Sequence, residues 1–231
     1  MDWRQYGERM ASLARDLLAQ HSVDDTLGRV TASATELIEG CEVAGILLLR
    51  GKDSRTLAPT DPLAVSCDRL QQELGQGPCF DAARTSVSGQ VYRIADLTDD
   101  RQRERWPLFA PRAHDLGVAS MMGFLLFTED GDFGALNMYS RTVGAFTEAS
   151  QTAAWLLASH AAVAVAGAHN RAQLEQAVLT RHVIGEAMGI LMVSDRLSES
   201  EAFDALRRRS QERNVKLRTV AEHVCRTGAL S

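Results

Sequence analysis

No proline occurs between Thr147 and Val193, and helix propensity is favourable throughout that span. Phe146-Thr147-Glu148 reads as the start of a single helix that runs with little interruption to Met192, weakened at Gly167 and Gly189. This connector, about residues 147–193, separates a first domain at 1–166 from a second at 167–231. Val163, Gly167, Asn170, Leu174, Ala177, Arg181, Ile184, Met188 and Leu191 alternate four and three apart, the spacing of a heptad seam. Asn170 would fix register as a buried polar residue, whereas Arg181 argues against a dry core at its level. For the first half of the seam, packing within the chain's own first domain is an equal alternative. For Leu174–Leu191 a parallel dimer is expected, and a continuous helix would link an input at one end to an output at the other.

Charge is unevenly divided. The whole chain carries a formal −5, yet Arg196–Arg226 holds eight Arg and Lys against five Asp and Glu. A basic tail behind an acidic module points to a polyanion partner, with a solvated helix face as the alternative. The N-terminus leads directly into an amphipathic segment without the apolar core of an export signal. The most apolar run, Ala153–Ala168, is broken by Ser159 and His160 and falls short of the ~20 residues of a membrane span. Cys41, Cys67, Cys79 and Cys225 lie far apart with no CxxC spacing, so neither a zinc site nor a disulfide framework is expected. A reducing cytoplasm follows as the expected compartment.

Residues 1–40 read as two helices, the second with Val23, Leu27, Val30, Ala34, Leu37 and Ile38 along one face. Val43–Leu49 reads as a buried strand, turned by Arg50-Gly51-Lys52-Asp53. A weaker strand is expected over Thr56–Val65, then a helix capped by Ser66 and ended by Gly75. Strands follow at Val91–Ile94, Val118–Phe127 and Phe133–Tyr139, with a helix at Glu104–Leu116 and a hairpin turn at Glu129–Asp132. Helices, a meander and a closing helix make an α+β layered domain.

That order resembles a GAF domain over roughly Asp24–Ala166. The matching pieces are LGQGPCFDA from Leu74 to Ala82, Asp96-Leu97, Arg105-Trp106-Pro107, the LGVASM run, FGALNMYS near Phe133, and Phe146-Thr147. The resemblance implies an antiparallel sheet flanked by helices, with a small molecule held against one face. Gly75–Ala83 would lie over that pocket, with Cys79, Phe80, Trp106, Phe109 and Met121 as candidate wall residues. Core packing is the competing reading for each of the five. No cysteine stands out as a chromophore attachment site and no His pair suggests haem, so no cofactor is implied and the ligand stays unnamed. Some GAF domains reduce free methionine sulfoxide with several cysteines, which keeps Cys41, Cys67 and Cys79 open as an enzymatic alternative. Small buried thiols explain them more simply.

The second domain reads as three helices, the first ending near Val193. Ser198 and Glu201 form a capping box that opens the second helix, which runs to about Gln211. Ala202, Phe203, Ala205 and Leu206 give it an apolar line, with Arg207, Arg208 and Arg209 fanned around its far end. Asn214 suits the turn, and a third helix over about Lys216–Arg226 places Leu217, Val220, Ala221 and Val224 on one face. This stretch resembles the ANTAR family of RNA-binding transcription antiterminators, through Ile184, the EAMGILM run from Glu186 to Met192, and the SESEAF run. Leu206-Arg207, Asn214, Lys216-Leu217 and Val220-Ala221 complete the match.

The resemblance implies an all-α three-helix output domain. Its dimers would bind paired RNA hairpins in a nascent transcript and so prevent a terminator from forming. Arg207, Arg208, Ser210, Lys216 and Arg218 are the expected RNA-facing residues, and no catalytic or metal-binding residue is assigned. The motif's alanines, Ala187, Ala202 and Ala221, would permit close approach to RNA. Ser210 stands where many members carry Ala, and Arg209 replaces what is often a small residue. A DNA-binding helix-turn-helix made of the last two helices is the alternative of another class.

Overall fold

A computed structural model describes residues 2–50, 53–85, 91–129 and 132–230. The chain divides into two compact units, Met1–His169 and Asn170–Ser231. In the first, Asp2 opens α1 (Trp3–Leu18) by accepting the N–H groups of Arg4 and Gln5, and Ser22 opens α2 (Val23–Leu37) by accepting that of Asp25. Tyr6, Met10, Leu13 and Leu17 recur four, three and four apart and are the buried face of α1. Burying a side chain of that size contributes roughly 1.5–3 kcal/mol.

Five strands follow: β1 (Val43–Arg50), β2 (Asp53–Leu57), β3 (Val91–Ile94), β4 (Ser120–Glu129) and β5 (Asp132–Ser140). They form one antiparallel sheet in the order β2-β1-β5-β4-β3. Alternation along the strands gives the sheet two lives. Ala44, Ile46, Met122, Phe124, Leu136 and Met138 point to one side and pack with α1, α2 and the start of the long closing helix. The opposite side is covered by α3 (Pro62–Leu74), α4 (Pro78–Thr85) and α6 (Phe109–Asp115), while α5 (Asp100–Arg105) leads into α6 and buries none of its residues. Of the expected turns, Gly51, Lys52, Asp130 and Gly131 lie outside the described residues.

Two helix boundaries differ from the sequence reading, and proline decides both. The second strand stops at Leu57, and α3 begins at Pro62 rather than after Ser66. Asp61 accepts the Leu63 N–H at 2.8 Å and Pro62 takes the first helical position, where its missing donor costs nothing. Ser66 instead donates to the Pro62 carbonyl inside the helix. The helix expected over Glu104–Leu116 is broken into α5 and α6, because Pro107 forces Trp106 out of helical geometry, to φ −130° and ψ 71°. Helix α4 was not foreseen; Pro78 opens it as Pro62 opens α3.

The closing helix, α7 (Glu148–Ser194), is 47 residues long, about 70 Å at 1.5 Å per residue. Its first part lays Ala153, Ala154, Leu157, Ala158, Ala161 and Val165 on the sheet. The Ala153–Ala168 run lies within it, and by length and composition alone the whole of α7 would suffice to cross a membrane. Alanine and valine supply most of that apolar character.

In the second unit the end of α7 meets α8 (Glu199–Arg213) and α9 (Leu217–Thr227). Ala187, Leu191, Ala202, Leu206, Val220, Ala221 and Val224 form its core. The capping box is present in both directions: Ser198 Oγ accepts the Glu201 N–H, and the Glu201 carboxylate accepts the Ser198 N–H. Asn214 closes α8 in the left-handed conformation, at φ 51°.

Candidate functional sites

On the face of the sheet beneath α3 and α4, one row of three strands reads Gly45, Asn137, Gly123. Gly123 leaves Asn137 its room, since a Cβ there would stand 3.1 Å from Asn137 Oδ1. A Cβ on Gly45 would stand 3.0 Å from that of Ala64 in α3, so this glycine sets how closely the helix approaches. Buried Ala64, Cys67, Asp68 and Gln71 face the sheet from α3. Asp68 accepts from Asn137 Nδ2 at 3.0 Å and from the Tyr139 hydroxyl at 2.8 Å, and its other oxygen accepts from Thr56 at 2.9 Å. Cys79 in α4 donates its thiol to Asn137 Oδ1 at 3.0 Å, while its N–H donates to Gln71 Oε1 at 3.1 Å. Gly77 has φ +129° and its missing Cβ would collide with Gln71, so the turn into α4 depends on glycine there.

Burial governs the chemistry of this network. Desolvation lifts Asp68 to about 6 against the pull of its three donors, and it holds the Tyr139 phenol well above its usual range. Cys41, Cys67 and Cys79 are each pushed up to about 12, chiefly by burial. At that value each is a thiol and a poor nucleophile. Cys41 packs with α1, α2 and α7, whereas Cys67 and Cys79 belong to the clusters on the opposite face. The three cysteines do not converge.

The five candidate wall residues are placed less evenly than their motif suggests. Trp106, Phe109 and Met121 are packed together as core that seats α6 on the sheet, with the Trp106 and Phe109 rings edge to face at 6.3 Å. Trp106 Nε1 donates to Asp81, and the Arg105 guanidinium lies 4.7 Å over its ring. Cys79 is the member that joins the polar network, and Phe80 is half-buried beside it. Asp68, Gln71, Asn137 and Tyr139 escaped the sequence reading. Their signal was polar residues at positions where α3 and β5 are otherwise apolar.

The expected seam also splits. Val163 is 73% and Leu174 68% exposed, with Asn170 and Ala177 exposed between and beyond them, so this part of α7 presents an open stripe that Val178 and Leu179 widen. Ile184 and Met188 instead pack against the core of the second unit, and Leu191 is fully buried in it. Leu191 is therefore core held by α8 and α9, and it leaves the seam. From Ile184 onward that side of α7 is taken up by α8 and α9 of its own chain.

In the second unit Arg207 and Arg208 are exposed, Arg207 pairing with Asp204 at 3.0 Å. Lys216 is the exposed N-cap of α9, and Arg218 pairs with Glu222 at 2.7 Å. Ser210 differs: its hydroxyl donates to the Val215 carbonyl at 2.6 Å and closes the turn between α8 and α9. Arg209 is turned inward, its side chain only 28% exposed. The alanines Ala187, Ala202 and Ala221 are wholly buried, so their small size brings the three helices together rather than a helix to RNA.

Two domain families match this layout. The GAF domain matches residues 20–166 and the ANTAR domain residues 172–224. No curated protein matches the chain. Among solved structures, free methionine-R-sulfoxide reductase from Neisseria meningitidis is similar at a TM-score of 0.53 and 16% identity, over 72% of this chain and 91% of that one. The GAF domain of a phosphoenolpyruvate-protein phosphotransferase from Coxiella burnetii gives 0.55 and 13%, over 75% and 99%. The photosensory core module of the Stigmatella aurantiaca phytochrome gives 0.61 and 13%, over 90% and 45%. At these identities the likeness is one of fold.

Proposed function

Since the chain belongs to the GAF domain family and carries an ANTAR domain behind it, we propose that it is a dimeric, signal-responsive antiterminator that binds RNA hairpins. The domain pair is that of a sensor-controlled regulator. In the finer reading, a cytoplasmic dimer holds two short hairpins in a nascent transcript, which keeps the overlapping terminator from forming. Input is a small molecule or a protein acting at the GAF domain, on the sheet face beneath α3 and α4. Output is the ANTAR surface that carries Arg207, Arg208, Lys216 and Arg218.

The observation that carries the reading is the exposure of Arg207, Arg208 and Lys216 on one small helical domain. Guanidinium and ammonium groups neutralise phosphates and stack on splayed loop bases. Ser210 supports that surface by fixing the α8–α9 turn. The buried, protonated thiols of Cys41, Cys67 and Cys79, divided between two faces of the sheet, favour sensing over sulfoxide reduction.

Gel shifts with paired hairpins test the assignment. Replacing Arg207, Arg208 and Lys216 together by Ala is expected to weaken binding at least tenfold at physiological salt. The same change lowers the slope of log affinity against log salt by about two. Unchanged affinity in the triple variant would sink the contact assignment. Duplex DNA competing as well as hairpin RNA would favour the helix-turn-helix reading instead.

A further inference from the structure

The apolar stripe of α8 gives way to a basic one along the same line of the helix. Ala202 and Leu206 are core, and the next positions at helical spacing are Arg209 and Arg213. On α9, Thr219, His223 and Arg226 make a second stripe with the same spacing. The two stripes bound a cleft of about 370 Å³, floored by Val215, Val220, Val224 and Leu230. Arg209, Arg213, Arg226 and Glu222 are its charged lining. Glu222 is held at 2.7 Å by Arg218 and Arg209 at 3.4 Å by Glu212, and Arg226 Nη2 stands 3.3 Å from His223 Nδ1. Within this ring, Arg209 Nε is buried with no hydrogen-bond partner. A buried guanidinium donor left unpaired is costly, and an acceptor entering the cleft would relieve it.

We propose that this cleft binds one phosphorylated nucleotide. A phosphate would meet the guanidinium groups of Arg209, Arg213 and Arg226, which match its oxygens in geometry and charge. The base would lie over Val215, Val220 and Leu230. The volume falls within the 300–1,000 Å³ usual for small-molecule sites. None of Arg207, Arg208, Ser210, Lys216 and Arg218 lines the cleft, so the site is separate from the surface assigned to hairpin RNA. The shared chemistry, a phosphate with a flat base attached, is found in a free nucleotide and in a nucleotide of an RNA chain.

The test uses the full-length chain and the variants Arg213→Gln and Arg226→Gln, whose exposed side chains can change without disturbing the core. Each of the four nucleoside 5′-monophosphates, and inorganic phosphate alone, is titrated calorimetrically, and paired-hairpin RNA is titrated by gel shift. Saturable binding of a monophosphate, weakened at least tenfold in each variant, establishes a free nucleotide as the occupant. No monophosphate binding, with RNA affinity reduced at least tenfold by the same variants, establishes a nucleotide of the RNA. Monophosphates that do not bind, together with RNA affinity that the variants leave unchanged or that is absent from the start, overturn the proposal. Phosphate binding as tightly as every monophosphate overturns the role of the base.

Discussion

Asp68 is a carboxylate whose three hydrogen-bond donors, Asn137, Tyr139 and Thr56, are all neutral. Its folded-state value of about 6 lies above the ordinary 3.8, so the folded protein takes up this proton more readily than the unfolded chain. Its stabilising effect is therefore complete below about pH 4 and is lost as pH rises toward 6, on the order of 3 kcal/mol at 1.36 kcal/mol per unit. Glu42, Asp96 and Glu201 are shifted the other way, so the telling quantity is a difference. Urea unfolding of wild type and Asp68→Asn at pH 4, 5, 6 and 7 is expected to show the variant gaining relative stability across that range. A constant difference would defeat this account of the carboxylate. The residue was illegible in the sequence because a lone acid in an amphipathic helix reads as its wet side. Only the facing strand, with Asn137 between two glycine neighbours, shows that it turns inward. Arg209 hid in the same way: three consecutive arginines look like a solvated fan, and its inward member appears once Ala202 and Leu206 are located.

Elements with a strong local signal were readable, and those set by a partner were not. The Ser198 and Glu201 pair fixed the start of α8 because both halves of the bond lie within four residues. Replacing Ser198 by Ala removes an acceptor from the first turn and is expected to cost about 1 kcal/mol. In a thermal melt followed by circular dichroism, that is a fall of roughly 4–8 °C in the midpoint for a unit of this size. An unchanged midpoint would mean that water replaces the cap without loss. By contrast, α3 and the α5–α6 break depended on reading Pro62 and Pro107 as position markers, one opening a helix and one ending it. The unbroken apolar run of β1 and the apolar stretches of β4 and β5 showed that strands were present. They left open which side of each would be wet, because both faces of the sheet are covered.

At the scale of the whole molecule, the exposed stripe of α7 is expected to pair with a second copy. Leu174→Glu with Val178→Glu puts charge where 68% and 66% of each side chain is open. Sedimentation velocity is expected to show a dimer for wild type and a monomer for this variant; identical species would place the contact elsewhere. Leu191→Ala provides the contrast, since it empties core and should cost 2–5 kcal/mol of output-domain stability. That core is thin. Three of its seven buried residues are alanine, in a unit of about sixty residues, near the lower limit for a self-supporting fold. The ANTAR domain thus has little core to spare, and a ligand that binds only its folded form would add to its stability. Part of the heat released on engagement would come from helices settling, and the heat capacity would drop by more than the contact area explains. An RNA target would then act as a brace as well as a partner, and the bound domain is expected to melt at a higher temperature than the free one.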